Sequence, residues 1–123
     1  MLAVYLFGSR AADGEALLAG REVDRVGSDL DVGVVFRSHE VPLDRLAPLQ
    51  VALEETFAPL RVDLVPLQRV DALFQFNAAS GVRAAAADST AADLWELEVM
   101  RRAADLLPIQ RTIERELFGV STT

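Results

Sequence analysis

The chain contains no cysteine and no lysine, and it has a single histidine, His39. Without cysteine there is no disulfide, no thiolate nucleophile and no zinc–thiolate site. One imidazole removes most histidine-based metal sites and leaves no partner for a histidine relay. All twelve basic side chains are arginine, which excludes a P-loop lysine, a kinase-type lysine and a Schiff-base lysine. Long hydrophobic runs are missing too: none reaches the ~18 residues that a membrane span requires. The N-terminal run Leu2 to Phe7 is too short for a signal-peptide core and lacks a basic flank. These absences predict a soluble, cytoplasmic protein with no membrane association. Carboxylate, hydroxyl, guanidinium and backbone groups remain for chemistry.

Positive charge is also scarce. The formal net charge is −7, and only Arg101 and Arg102 are adjacent. Direct nucleic-acid binding needs a basic surface that displaces counterions, so it is not expected. A small anion held with divalent cations, or a basic protein surface, suits this chain better.

What is present describes one folded domain. The 123 residues suffice to bury roughly two-thirds of the unfolded surface. A hydrophobic content of 51% with 25% charged residues places the chain among globular rather than disordered proteins. Leu2 to Phe7 reads as a buried strand that stops at Gly8-Ser9. A short helix over Ala11 to Gly20 and a polar loop over Arg21 to Gly27 follow. Asp29 to Phe36 reads as a second strand. Pro42 to Phe57 has Leu46, Leu49, Leu53 and Phe57 at helical spacing, with Pro48 bending that helix or marking its first turn. Arg61 to Leu67 predicts a third strand. Val70 to Ser80 predicts a helix closed by Gly81, and Val82 to Ala86 an extended piece weakened by its alanines.

The last third is helical. Thr90 to Asp93 has the spacing of a capping box. Leu94, Leu97, Met100, Ala104 and Leu107 then form an apolar stripe that reads as core. Pro108 is expected to kink or break the helix. Beyond it, Ile109, Ile113 and Leu117 suit packing on the same domain or on a partner. The order of elements predicts an α/β (α+β) fold: a short mixed β-sheet carrying the acidic residues, helices packed on one face, and a C-terminal helical extension. The expected organisation is a core over residues 1–88, a helical extension of the same domain over 89–119, and a tail over 120–123.

Two acids interrupt the second strand. Residues two apart on a strand share a face, so Asp29 and Asp31 stand opposite the apolar row Leu30, Val32 and Val34. Two carboxylates about 6 Å apart repel by roughly 2–3 kcal/mol at an effective dielectric near 20. That is a large fraction of the ~5–15 kcal/mol stability of a domain. A divalent cation offsets it, because hard cations take carboxylate and phosphate oxygens together. Asp63, in "RVDLVPL", repeats the pattern on the third strand. Three carboxylates on neighbouring strands can hold two metal ions for a displacement at phosphorus, and one of them can accept the proton of an attacking hydroxyl. An EF-hand loop does not fit, since Gly33 comes one place early and hydrophobic residues occupy ligand positions.

The Gly8-Ser9 turn adds an anion cradle. A strand-to-helix glycine lets backbone N–H groups approach a phosphate, with the helix dipole behind them. Ser9 offers a hydroxyl donor and Arg10 a charge, while Ser28 reads as a strand-entry residue able to assist the same site. Taken together, "LFGSR", "SDLDVGVVF" and "VDLVPL" resemble the minimal nucleotidyltransferase (MNT) family of the DNA polymerase β superfold, over Leu2 to about Gly81. Small members that end in extra helices resemble the antitoxins paired with HEPN-domain ribonuclease toxins.

The resemblance implies an enzyme that transfers AMP from ATP to a tyrosine hydroxyl of the cognate HEPN toxin and so silences it. It further implies that Gly8 and Ser9 grip the triphosphate, with Arg10 and Ser28 beside them. Asp29 and Asp31 would bind two Mg²⁺ ions, and Asp63 would be the third ligand and the base. A hetero-oligomer with the toxin is the implied assembly. Two alternatives stand beside this reading: a small-molecule nucleotidyltransferase of the aminoglycoside-modifying type, and a non-catalytic antitoxin acting by binding. The chain departs from the family pattern in two places. The family has about ten residues between its Gly-Ser pair and the first acid, whereas Arg10 to Ser28 is about twice that. The chain also starts directly at its first strand, where relatives often carry a helix, leaving a sheet face or edge open to a partner.

Overall fold

A computed structural model of the chain describes residues 1–118. Gly119 and the tail expected over 120–123 lie outside the described residues. Four strands form one sheet in the order β3-β2-β1-β4. β1 is Ala3–Phe7, β2 Leu30–Val35, β3 Val62–Pro66 and β4 Val82–Ala86. β1 pairs antiparallel with both β2 and β4, and β2 pairs parallel with β3, so the sheet is mixed as expected. A parallel pair needs a crossover, and helix α2, Leu43–Thr56, supplies it. Helix α1 is Ala11–Leu18, α3 is Ala72–Ala79 and α4 is Ser89–Phe118, with a single 3₁₀ turn at Leu67–Arg69.

Helices cover both faces of the sheet, not one. All five residues of β1 are apolar and buried, and alternate residues point to opposite faces, so either face left open would expose a full apolar row. On one face Val4, Leu6, Leu30, Val32 and Val34 pack with Leu53 and Phe57 of α2 and its exit, joined by Ala11 and Leu17 of α1. On the other, Ala3, Tyr5, Phe7 and Val35 pack with Leu67, Ala78 of α3 and Ala92 of α4. Trimming a fully buried residue such as Leu6 or Leu30 to Ala costs about 2–5 kcal/mol. The second face is the one that carries Asp31 and Asp63, so its cover determines where the acids emerge.

Local chemistry explains several boundaries. Asp71 caps α3 by accepting from the Phe74 N–H at 2.8 Å. Gly81 follows that helix, yet its φ is not positive, and the reason for glycine is proximity. A Cβ there would stand 2.2 Å from the Leu6 carbonyl oxygen, so only glycine lets β4 enter beside β1. The cap of α4 is Asp88, whose carboxylate accepts from the Ala91 N–H at 3.1 Å, and not the box expected at Thr90. Pro48 and Pro108 both lie inside helices that run on past them.

Helix α4 also turns a different face to the sheet than its pattern predicts. Ala92, Val99 and Ala103 are buried, while Leu94, Leu97, Met100 and Leu107 are exposed. Ile109, Ile113 and Leu117 are exposed as well. The rotation is set by a polar cluster: the Tyr5 hydroxyl donates to Glu96 at 2.8 Å, and Arg83 of β4 donates to Glu96 and Asp93 at 2.7 Å each. Tyr5 and Trp95 rings lie 5.6 Å apart beside it. With α4 pinned this way, the small side chains of Ala92 and Ala103 meet the domain.

Candidate functional site

The acids sit where the cover of the second face ends. Along β2, Val35 is buried under the helices and Gly33 lies beneath Leu67, while Asp31 is only half-buried. Asp31 and Asp63 are register partners in the parallel β2–β3 pair, so their side chains stand side by side on neighbouring strands, about 5 Å apart at the backbone. Asp63 is exposed. Asp29 falls just before β2, which begins where the Leu30 N–H donates to the Arg61 carbonyl at 2.8 Å. Its influence on Asp31 is through charge alone.

Partial burial, then the adjacent Asp63 carboxylate, and last Asp29 push the Asp31 carboxyl above its ordinary range. No cation offsets them: among the described residues neither Asp29, Asp31 nor Asp63 takes part in an ion pair.

Gly8 is built around Asp31. Its φ is +73°, and a Cβ would lie 2.2 Å from Asp31 Oδ2. Both the left-handed backbone and the close approach require glycine. The turn that follows is tied to the entry of β2, because the Ser9 and Ser28 hydroxyls share a hydrogen bond of 2.9 Å. The structure therefore brings Gly8, Ser9, Ser28, Asp29, Asp31 and Asp63 to one end of the sheet. Phe74 of α3 meets Phe7 edge-on there, with ring centroids 5.6 Å apart, and Phe7 is the register partner of Asp31.

Arg10 is directed elsewhere. Its side chain is buried, with Nε donating to Asp13 at 2.6 Å and Nη1 to the carbonyls of Ser28 at 3.2 Å and Val26 at 3.4 Å. Nη2 donates to the Asp24 carbonyl. The guanidinium is thus a latch that folds the long 21–28 loop against the Gly8-Ser9 turn. The lengthened spacing between Ser9 and Asp29 is consistent with such a latch, which anchors three carbonyls of the extra residues. Two further cations share a cavity with Asp29, and sequence reasoning passed over both. Arg25, at the loop tip, and Arg61, just before β3, line a cavity of about 600 Å³ together with Ser28 and Asp29. Arg61 stands two residues before Asp63, and that spacing was the available signal.

The donor set suits a hard cation. Among the described residues no three His, Cys, Asp or Glu side chains form a ready-made metal cage. The neighbouring carboxylates of Asp31 and Asp63 are instead an open pair whose mutual repulsion a cation would relieve. Mg²⁺ is characteristically held by one or two carboxylates and completed by water and substrate phosphates rather than by an all-protein cage. By that criterion the residues fit the ion.

No protein-family model matches the chain, and no curated protein matches it in sequence. Its fold does match a solved structure, that of a tri-AMPylated HEPN toxin from Shewanella oneidensis in complex with MNT antitoxin. The similarity is to the antitoxin chain, with a TM-score of 0.63 over 94% of this chain and 82% of that one, at 16% identity. The chain therefore has an MNT-like fold. Among the described residues no helix is long and apolar enough to cross a membrane.

Proposed function

We propose that this protein is the antitoxin of a HEPN/MNT-type pair and a Mg²⁺-dependent adenylyltransferase, transferring AMP from ATP to a tyrosine hydroxyl of its toxin. The observation that carries the reading is the in-register pair Asp31 and Asp63 beside a glycine that nothing larger could replace. Like charges placed together without a counterion are costly, and a metal-bound triphosphate is the ligand that makes them useful. The fold it shares with an MNT antitoxin supports the toxin as partner. Exposed Leu94, Leu97 and Met100 on α4 favour a protein substrate over a small molecule.

In this reading the Gly8-Ser9 turn cradles the triphosphate, with Ser9 and Ser28 hydroxyls donating to its oxygens. Arg10 holds the loop that fixes Ser28, and Arg25 and Arg61 add positive charge at the rim. Asp31 and Asp63, with Asp29 nearby, would hold the two Mg²⁺ ions, which when bound would neutralise phosphate charge and favour displacement at phosphorus. The phenolic oxygen of the toxin tyrosine attacks the α-phosphorus, and its proton passes to Asp63. The new bond is tyrosine O–P, the bond broken joins the α-phosphorus to its bridging oxygen, and pyrophosphate leaves with that electron pair.

The test is to incubate the protein with labelled ATP, Mg²⁺ and the protein encoded beside it, and to read intact masses. A gain of one or more AMP units on the partner, lost with Asp63→Asn, is the expected result. A stable complex without mass gain, with neutralisation intact in an Asp29→Asn, Asp31→Asn, Asp63→Asn triple variant, would instead establish inhibition by binding. Nucleotidylation of a small hydroxyl compound alone would make it a small-molecule enzyme.

A further inference from the structure

The opposite end of the same sheet face holds a second cavity, which the proposed reaction does not use. It has a volume of about 420 Å³, within the ~300–1,000 Å³ of small-ligand sites. Leu2 and Val35 form part of its floor. Val35 lies four residues along β2 from Asp31, so about 13 Å separates the two ends. The cavity is therefore a separate place, not an extension of the acidic site.

Its walls are fixed. The Gln68 amide accepts from the Phe36 N–H at 2.8 Å and donates to the Phe36 carbonyl at 2.9 Å. It also donates to the Ser38 carbonyl, which pins the segment after β2. Gln75 is buried and donates to the Leu67 carbonyl at 2.6 Å. These two amides are spent on structure and leave a preformed pocket.

The remaining lining carries the recognition chemistry. Trp95 contributes the chain's only indole, half-buried in the wall. Arg37 and Arg102 contribute guanidiniums and His39 an imidazole. Arg37 and His39 have no hydrogen-bond or ion-pair partner among the described residues. Arg102 has only a 3.4 Å hydrogen bond to Gln75 and a 3.9 Å pairing with Glu98. The one acid in the lining, Glu98, is shared with Arg101 outside it. In a chain of net charge −7, this is a cavity with more arginine than carboxylate, closed on one side by a flat aromatic ring.

We propose that this cavity is a second binding site, for a small anion that carries a planar ring. The ring would lie against Trp95, and the anionic group would take the free donors of Arg37 and Arg102, whose planar forks suit carboxylate or phosphate oxygens. The site is independent of the acids, so it does not depend on the adenylyltransferase reading.

The single indole makes the test direct. The full chain, labelled with ¹⁵N, gives one indole N–H resonance, which is followed during titration with benzoate and, separately, AMP. Acetate and benzyl alcohol serve as ring-free and charge-free controls. Saturable movement of that resonance with benzoate or AMP, and not with either control, is expected. The Arg37→Ala and Arg102→Ala variants, both at exposed positions, should each weaken binding about tenfold, the loss of one charge-assisted hydrogen bond. Asp31→Asn and Asp63→Asn should leave it unchanged. The proposal is overturned if neither probe moves the resonance at millimolar concentration. It is equally overturned if the arginine variants bind as the parent does, or if Asp63→Asn abolishes the response.

Discussion

Two carboxylate clusters sit on one face of this sheet, and they are built on opposite rules. Glu96 and Asp93 share Arg83 and the Tyr5 hydroxyl, so their charge is balanced within the fold. Burial and the neighbouring Glu96 push the Tyr5 phenol well above its ordinary range, while its two acids hold the Arg83 guanidinium firmly protonated. Asp31 and Asp63 stand side by side on neighbouring strands with no cation of their own among the described residues. The first cluster orients a helix and is complete. The second has no counter-charge among the described residues, and that contrast is what sets the candidate site apart from the structural cluster.

The sharpest way to break the comparison is to remove one acid from each cluster. Asp63→Asn should reduce AMP transfer by about 10²–10⁴-fold, the usual contribution of a general base, with no loss of thermal stability. If transfer survived, measured by partner mass under the same conditions, the second cluster would be no more functional than the first. Gly8→Ala should follow, because it adds a Cβ at positive φ against Asp31. It should cost about 1–3 kcal/mol in chemical denaturation and displace Asp31, so that transfer falls along with stability.

Tyr5→Phe should do the reverse. It removes one hydrogen bond and should cost about 1 kcal/mol, while transfer by the folded fraction stays at the parental rate.

The smallest effect concerns acidity. The Asp31 carboxyl has a folded-state pKa above its ordinary value of 3.8, so its protonated form favours folding. That contribution is fully present below the ordinary value and is lost as pH rises through the raised one. Asp31→Asn should therefore raise the melting temperature at neutral pH, and the gain should shrink on acidification and vanish only below the ordinary value of 3.8. A variant less stable than the parent at pH 7 would show that Asp31 is already compensated.

Much of this was readable in advance, and the failures share a cause. The strands and the acids were legible because alternation on a strand has only two outcomes, and Asp31 and Asp63 both interrupt apolar rows in "DLDVGVVF" and "RVDLVPL". A helix with two apolar rows has no such constraint. The pattern of α4 favoured Leu94, Leu97 and Met100 as core, but the Tyr5–Glu96 bond turned Ala92, Val99 and Ala103 inward. No local signal on α4 announces a partner on β1. Arg10 escaped the reading for a related reason: its partners are backbone carbonyls of a loop, and any sequence supplies those. The second cover of the sheet was missed because α3 and α4 offer small residues, Ala78 and Ala92, where they meet it.

Helix α4 is 30 residues long, about 45 Å, and its contact with the domain ends early. Among its described side chains Val99 and Ala103 are the last buried ones, and from Ala104 to Leu117 every side chain but that of Glu114 is exposed. An isolated helical segment of some 12–15 residues is marginal in water. The two halves of this one helix should consequently differ in hydrogen exchange. Amides before Ala103 should open only with the global fold, and those beyond it should exchange orders of magnitude faster. One continuous rod of backbone thus spans two regimes of stability, and the boundary between them is a property of the surface the rod lies on, not of the rod.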